Sequence, residues 1–113
     1  MSSKLSVALI QSHLFWRKPK SNRKLFEKLI NNYNKKIDLF ILPEMFTTGF
    51  TMDPKDVAES MDGETINFIK KLSKKVNSAI CGSIIIKEAN CFYNRFIFIE
   101  PDGNIQFYDK RHT

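Results

Sequence analysis

A layered α/β fold is predicted for these 113 residues by three observations. Short apolar runs of strand length alternate with longer stretches of helical period up to about residue 76. The run over residues 37–42 is apolar apart from Asp38, the pattern of a strand buried on both faces. After Asn77 the strand-like runs follow one another directly, with turn chemistry at Pro101-Asp102-Gly103-Asn104. The order is therefore βαβα followed by a β-β-β meander, which adds antiparallel strands to a parallel start.

Residues 5–11 read as the first strand, apolar and partly alternating, and residues 15–20 as a connector punctuated by Pro19. Ser21 is the expected N-cap of the first helix, whose apolar stripe is Leu25, Phe26, Leu29, Ile30 and Tyr33. Asn31, Asn32, Asn34, Lys35 and Lys36 end it. Residues 37–42 form the next strand, closed by Pro43, which has no N–H to give to a ladder. The loop over residues 44–53 contains Gly49, which tolerates a turn other residues resist. A short helix is expected over residues 54–61. Asp62-Gly63-Glu64 then starts a longer one with Ile66, Ile69, Leu72 and Val76 on its apolar face. Strands are expected over residues 79–87, 91–100 and 105–108.

The chain is one domain at most, with 42% apolar and 27% charged residues, an ordinary balance for a globular protein and not that of a disordered one. Its net charge of +6 is spread over helix faces, as at Lys70, Lys71, Lys74 and Lys75. That reads as a solvated surface. No nucleic-acid motif accompanies the charge, so no nucleic-acid partner is expected. No apolar stretch approaches the roughly 20 residues a membrane-spanning helix needs, and no membrane partner is expected. Cys81 and Cys91 lack CxxC spacing, and with no signal-like N-terminus a cytoplasmic protein without disulfides or metal is expected.

Two charged residues follow apolar strands, where an open α/β sheet presents its chemistry. Glu44 lies between Leu42-Pro43 and Met45-Phe46, whose apolar groups are expected to wall and partly desolvate it, as suits a general base. Lys110 has Tyr108 and His112 two positions to either side, on its own face of an extended segment. There its charge suits it to stabilise an oxyanion. Phe46, Thr47 and Phe50 are candidate walls of a substrate pocket, or an apolar loop that only packs. Tyr93, Asn94 and Arg95 read by default as strand residues that pack, with support of the site by hydrogen bonds as the second reading.

The run from Phe40 through Leu42-Pro43-Glu44-Met45-Phe46 to Phe50, the segment Tyr93-Asn94-Arg95 with Pro101-Asp102-Gly103, and Tyr108-Asp109-Lys110-Arg111-His112 together resemble the carbon-nitrogen hydrolase, or nitrilase, superfamily. Within it they are most similar to the ω-amidase branch. The resemblance implies an α/β fold that is the N-terminal half of a nitrilase-like αββα sandwich. It also implies a catalytic set of Glu, Lys and Cys. By motif, Glu44 matches the base and Lys110 the lysine that holds the tetrahedral intermediate. His112 matches a structural position that orients the segment after Lys110.

No residue of this chain matches the nucleophile, so residues 1–113 are expected to be a partial domain, truncated before that cysteine. Cys81 is mid-strand and Cys91 near a turn, and nothing local activates either. His13 and His112 have no ligand spacing, and no metal or other cofactor is implied. The resemblance implies hydrolysis of the terminal amide of a small dicarboxylate monoamide, such as a 2-oxo acid ω-amide, by a homo-oligomer in the full-length form. The isolated chain is expected to be inactive and to expose an inner sheet face. The alternative is a non-catalytic remnant that associates with a partner through that face.

Overall fold

The computed structural model describes residues 4–33, 35–49 and 57–112, the last two by backbone alone. The elements are β1 (Val7–Leu9), α1 (Pro19–Asn31), β2 (Leu39–Ile41), α2 (Glu64–Val76), β3 (Ala79–Glu88), β4 (Cys91–Ile99) and β5 (Ile105–His112). They form one sheet in the order β1-β2-β3-β4-β5. The first three strands are parallel, joined through α1 and α2, and the last two add antiparallel hairpins.

In-register residues share a sheet face. One row runs Ala8, Phe40, Ile80, Ile99 and Ile105. It meets Phe26 and Ile30 of α1 and Ile66, Ile69 and Leu72 of α2 in a single core. The alternate row runs Leu9, Ile41, Cys81, Phe98 and Gln106. On that second face Leu9 stays 59% and Tyr108 68% exposed, while Cys81 at its centre is 4% exposed. One helical layer on one sheet is half of an αββα sandwich, and the second sheet face is exposed at its β1 and β5 edges. Among the described residues no helix is long and apolar enough to cross a membrane.

Several boundaries differ from expectation. Helix α1 begins at Pro19 with Lys18 at the N-cap, so Ser21 lies inside it. Proline suits the first helical position because its missing N–H is unpaired there in any case. Residues 57–61 are not helical; Glu59 instead bridges Ile86 as an isolated parallel pair. Residues 54–56 lie outside the described residues.

Gly63 is the N-cap of α2 and brings no side chain to the task. The Glu59 carboxylate substitutes, accepting from the Thr65 N–H at 2.8 Å. Arg23 joins this cluster, donating to Glu64 at 2.8 Å and to the Thr65 hydroxyl at 3.1 Å, which fastens α1 to the start of α2. The β3–β4 turn is Ala89-Asn90, both at positive φ, a two-residue hairpin that the composition does not advertise.

Candidate active site

After Ile41 the chain leaves the sheet with one last ladder bond, Leu42 N–H to Cys81 O at 2.8 Å, and Pro43 prevents another at its own position. The five residues that follow turn tightly. Ser83 of β3 holds the turn twice: its hydroxyl accepts from the Met45 N–H at 2.8 Å and its carbonyl from the Phe46 N–H at 3.2 Å. Met45 takes φ 50°, a left-handed conformation uncommon for an unbranched side chain and sustained by those bonds. Gly49 closes the turn at φ 74°, as its sequence position predicts.

Beneath the turn Phe46 packs edge-to-face on Phe26 of α1, with centroids 5.7 Å apart. A further tie comes from Asn22 of α1, fully buried, whose Nδ2 donates to the Thr47 carbonyl at 2.6 Å and to the Phe15 carbonyl at 2.8 Å. Its Oδ1 accepts from the Phe15 N–H at 2.8 Å. Nothing in the local sequence distinguishes Asn22 from its neighbours, because all three of its bonds reach segments outside the helix.

This anchoring corrects two expectations. Phe46 and Thr47 are 0% and 1% exposed, so here they are packing residues beneath the loop, the second of the two readings above. Leu42 likewise points into the core, and the Glu44 side chain is 57% exposed, so the expected apolar wall around it is not formed by its neighbours. Phe50 lies outside the described residues.

A charged partner of Glu44 comes from the far edge of the sheet. Lys110 Nζ lies 3.3 Å from Glu44 Oε1, and Asn94 Nδ2 donates to the same oxygen at 2.8 Å. The structure thus brings together the two charged residues that the motifs single out. Lys110 is not in a loop past a strand, because β5 runs on to His112. It sits at a bulge: Arg95 pairs with Asp109 and Asn94 with Arg111, which leaves Lys110 as the extra residue between them. The slip also sets the backbone of residue 112 opposite Tyr93, so the unbroken alternation expected along this segment does not hold.

Behind the bulge, Arg95 is 2% exposed. It donates to Asp109 from Nε at 2.6 Å and from Nη2 at 3.1 Å, and to Glu88 at 3.3 Å from each Nη. Tyr93 and Phe107 stack on the guanidinium at 5.0 and 4.3 Å. The hydrogen bonds it donates to Asp109 hold the guanidinium more firmly in its charged form despite burial. Tyr93, Asn94 and Arg95 therefore divide: Tyr93 and Arg95 build the support and Asn94 touches Glu44.

Burial pushes the Cys81 thiol up to about 11, so it stays protonated at neutral pH and is a poor nucleophile. Cys91 is half-buried at the start of β4. Among the described residues no group of three or more His, Cys, Asp or Glu is placed to hold a metal ion.

Comparison with known proteins finds relatives along nearly the whole chain. An ω-amidase YafV of Yersinia enterocolitica is 36% identical over 110 residues, which are 97% of this chain and 42% of the relative. A 2-oxoglutaramate amidase of Bacillus subtilis is 29% identical over 96% of the chain and 43% of its own length. Among solved structures, the CN-hydrolase superfamily protein XC1258 of Xanthomonas campestris superposes with a TM-score of 0.90 at 38% identity, over 96% of this chain and 41% of that one. The chain thus spans about two-fifths of the length of these relatives. The carbon-nitrogen hydrolase family model matches residues 6–113, nearly the whole chain, and the chain belongs to the carbon-nitrogen hydrolase family.

Proposed function

We propose that this chain supplies the base and the oxyanion-binding lysine of an amidase that cleaves a terminal carboxamide of a small dicarboxylate monoamide, of the 2-oxoglutaramate type. The observation that carries the reading is the approach of Lys110 Nζ to Glu44 Oε1 at 3.3 Å. Resemblance to ω-amidases and to a 2-oxoglutaramate amidase supports the substrate class.

In this reading a cysteine thiol from a segment beyond residue 113 is the nucleophile. Glu44 takes the thiol proton as sulfur attacks the amide carbon, and Lys110 stabilises the negative charge that develops on the carbonyl oxygen. Collapse of the tetrahedral intermediate breaks the C–N bond. The proton held by Glu44 passes to the leaving nitrogen, and ammonia departs. Water then gives a proton to Glu44 and attacks the thioester, releasing the acid and re-forming the thiol.

The test is ammonia release from 2-oxoglutaramate by the complete gene product, beside Glu44→Gln and Lys110→Met. Removing the base or the oxyanion stabiliser should each lower kcat by about 100-fold or more. Unchanged turnover in Glu44→Gln would sink the assignment.

A second reading has its own support in the exposed apolar edge of the second sheet face, where Leu9 is 59% exposed. There the chain is a non-catalytic remnant held to a partner through that face. Stable association of the 113-residue chain without amide hydrolysis would favour it.

A further inference from the structure

Asn94 stands where the β4–β5 register slips, and its two polar atoms have unequal fates. Nδ2 donates to Glu44 Oε1 at 2.8 Å. Oδ1 is buried and has no hydrogen-bond partner among the described residues. Turning the amide over does not help, because it would set Oδ1 against the carboxylate with no hydrogen between them. A buried acceptor left unpaired lowers stability, and an apolar side chain of similar shape avoids that cost. Among the described residues, the one bond its side-chain amide makes is to Glu44.

We propose that Asn94 is a positioning residue for Glu44. Oε1 is shared by Asn94 and Lys110, and in the mechanism above Lys110 turns its charge to the substrate oxygen. From that moment Asn94 still donates to Oε1 and helps keep a half-exposed carboxylate from rotating off the line between thiol and leaving nitrogen. Its placement next to the buried Arg95 fixes where that donor points, since strand neighbours project to opposite faces. The inference rests on reading Glu44 as the base.

Asn94→Leu removes both polar atoms at nearly constant volume, and Asn94→Ala serves as a second variant should Leu not fold. In the complete gene product kcat should fall about 10- to 100-fold with KM within about twofold, while the melting temperature is equal to or above the parent's. Loss of melting temperature together with kcat in both variants would make Asn94 a structural residue and overturn the proposal, as would unchanged kcat. A spectroscopic arm needs no activity: the Asn94 carboxamide ¹H–¹⁵N signals should move when Glu44 is replaced by Gln. Static signals overturn the bond itself. A parent that releases no ammonia while those signals move refutes the amidase reading and leaves the Asn94–Glu44 contact standing.

Discussion

Arg95 and Asp109 face each other across β4 and β5 through two N–H···O bonds, at 2.6 and 3.1 Å, directly behind the bulge that carries Lys110. The pair closes the last regular register position before the slip. Lys110 owes its placement to this neighbour on the opposite face of the same strand, since a bulge re-aims whatever the adjacent pairing holds still.

Asp109→Ala should therefore act on both sides of the sheet. Arg95 would keep only Glu88, which is 54% exposed, as its acidic partner in the cluster. The loss should be about 2–3 kcal/mol, below that of a fully enclosed pair because Asp109 itself is 31% exposed. Urea denaturation measures it, and a proportionate loss of ammonia release would show that the bulge has relaxed.

Gly82→Ala tests the floor of the loop. A methyl there would meet Leu42 Cβ at 3.0 Å and Phe46 Cδ1 at 3.1 Å, and both belong to the segment that carries Glu44. Overpacking of this kind costs about 1–3 kcal/mol. Thermal melting should show the loss, and Phe46→Leu, which thins the ring, should recover part of it in the double variant.

Ala89 holds φ 51° in the β3–β4 turn, where a Cβ is unwelcome. Ala89→Gly should stabilise the chain by about 0.5–1 kcal/mol, the left-handed cost being partly offset by the extra freedom of unfolded glycine. A lowered melting temperature would contradict this hairpin geometry.

Alkaline pH should find Cys81. Burial raises its thiol to about 11 from an ordinary 9.0, so on raising the pH the unfolded chain loses this proton first. The stability tied to the neutral thiol is whole below about pH 9 and is lost as pH rises through about 11. Urea midpoints compared at about pH 8 and about pH 10.5 should diverge more in the parent than in Cys81→Ala. The native thiol should also resist alkylation at neutral pH.

Much of the scaffold was legible because its signals are local. The stripes containing Phe26 and Ile30, and Ile66, Ile69 and Leu72, recur at helical period on the side that meets the sheet, and these residues are buried. Gly103 takes φ 91° where the Pro101-Asn104 turn requires it. What escaped is set by partners distant in sequence. Arg95 reads as a strand residue with a solvated head until Asp109 and Glu88 are brought to it. Asn22 looks like any polar helix residue until Thr47 arrives. Glu59 caps a helix that starts several residues later, beyond the reach of a local capping rule. The expected apolar surround of Glu44 failed for the converse reason: adjacency in sequence does not decide where Leu42 and Phe46 point, and the core claimed both.

The turn that presents Glu44 has its amides committed to bonds at Met45, Phe46, Thr48 and Gly49, two of them to Ser83 in the middle of the sheet. Surface loops ordinarily surrender their amide hydrogens to deuterium quickly, because small openings suffice. This one cannot open without dragging Phe46 off Phe26 and Thr47 off Asn22. Its amide protons should therefore persist about as long as those of β3, and Glu44 stands on ground that yields only when the whole domain does.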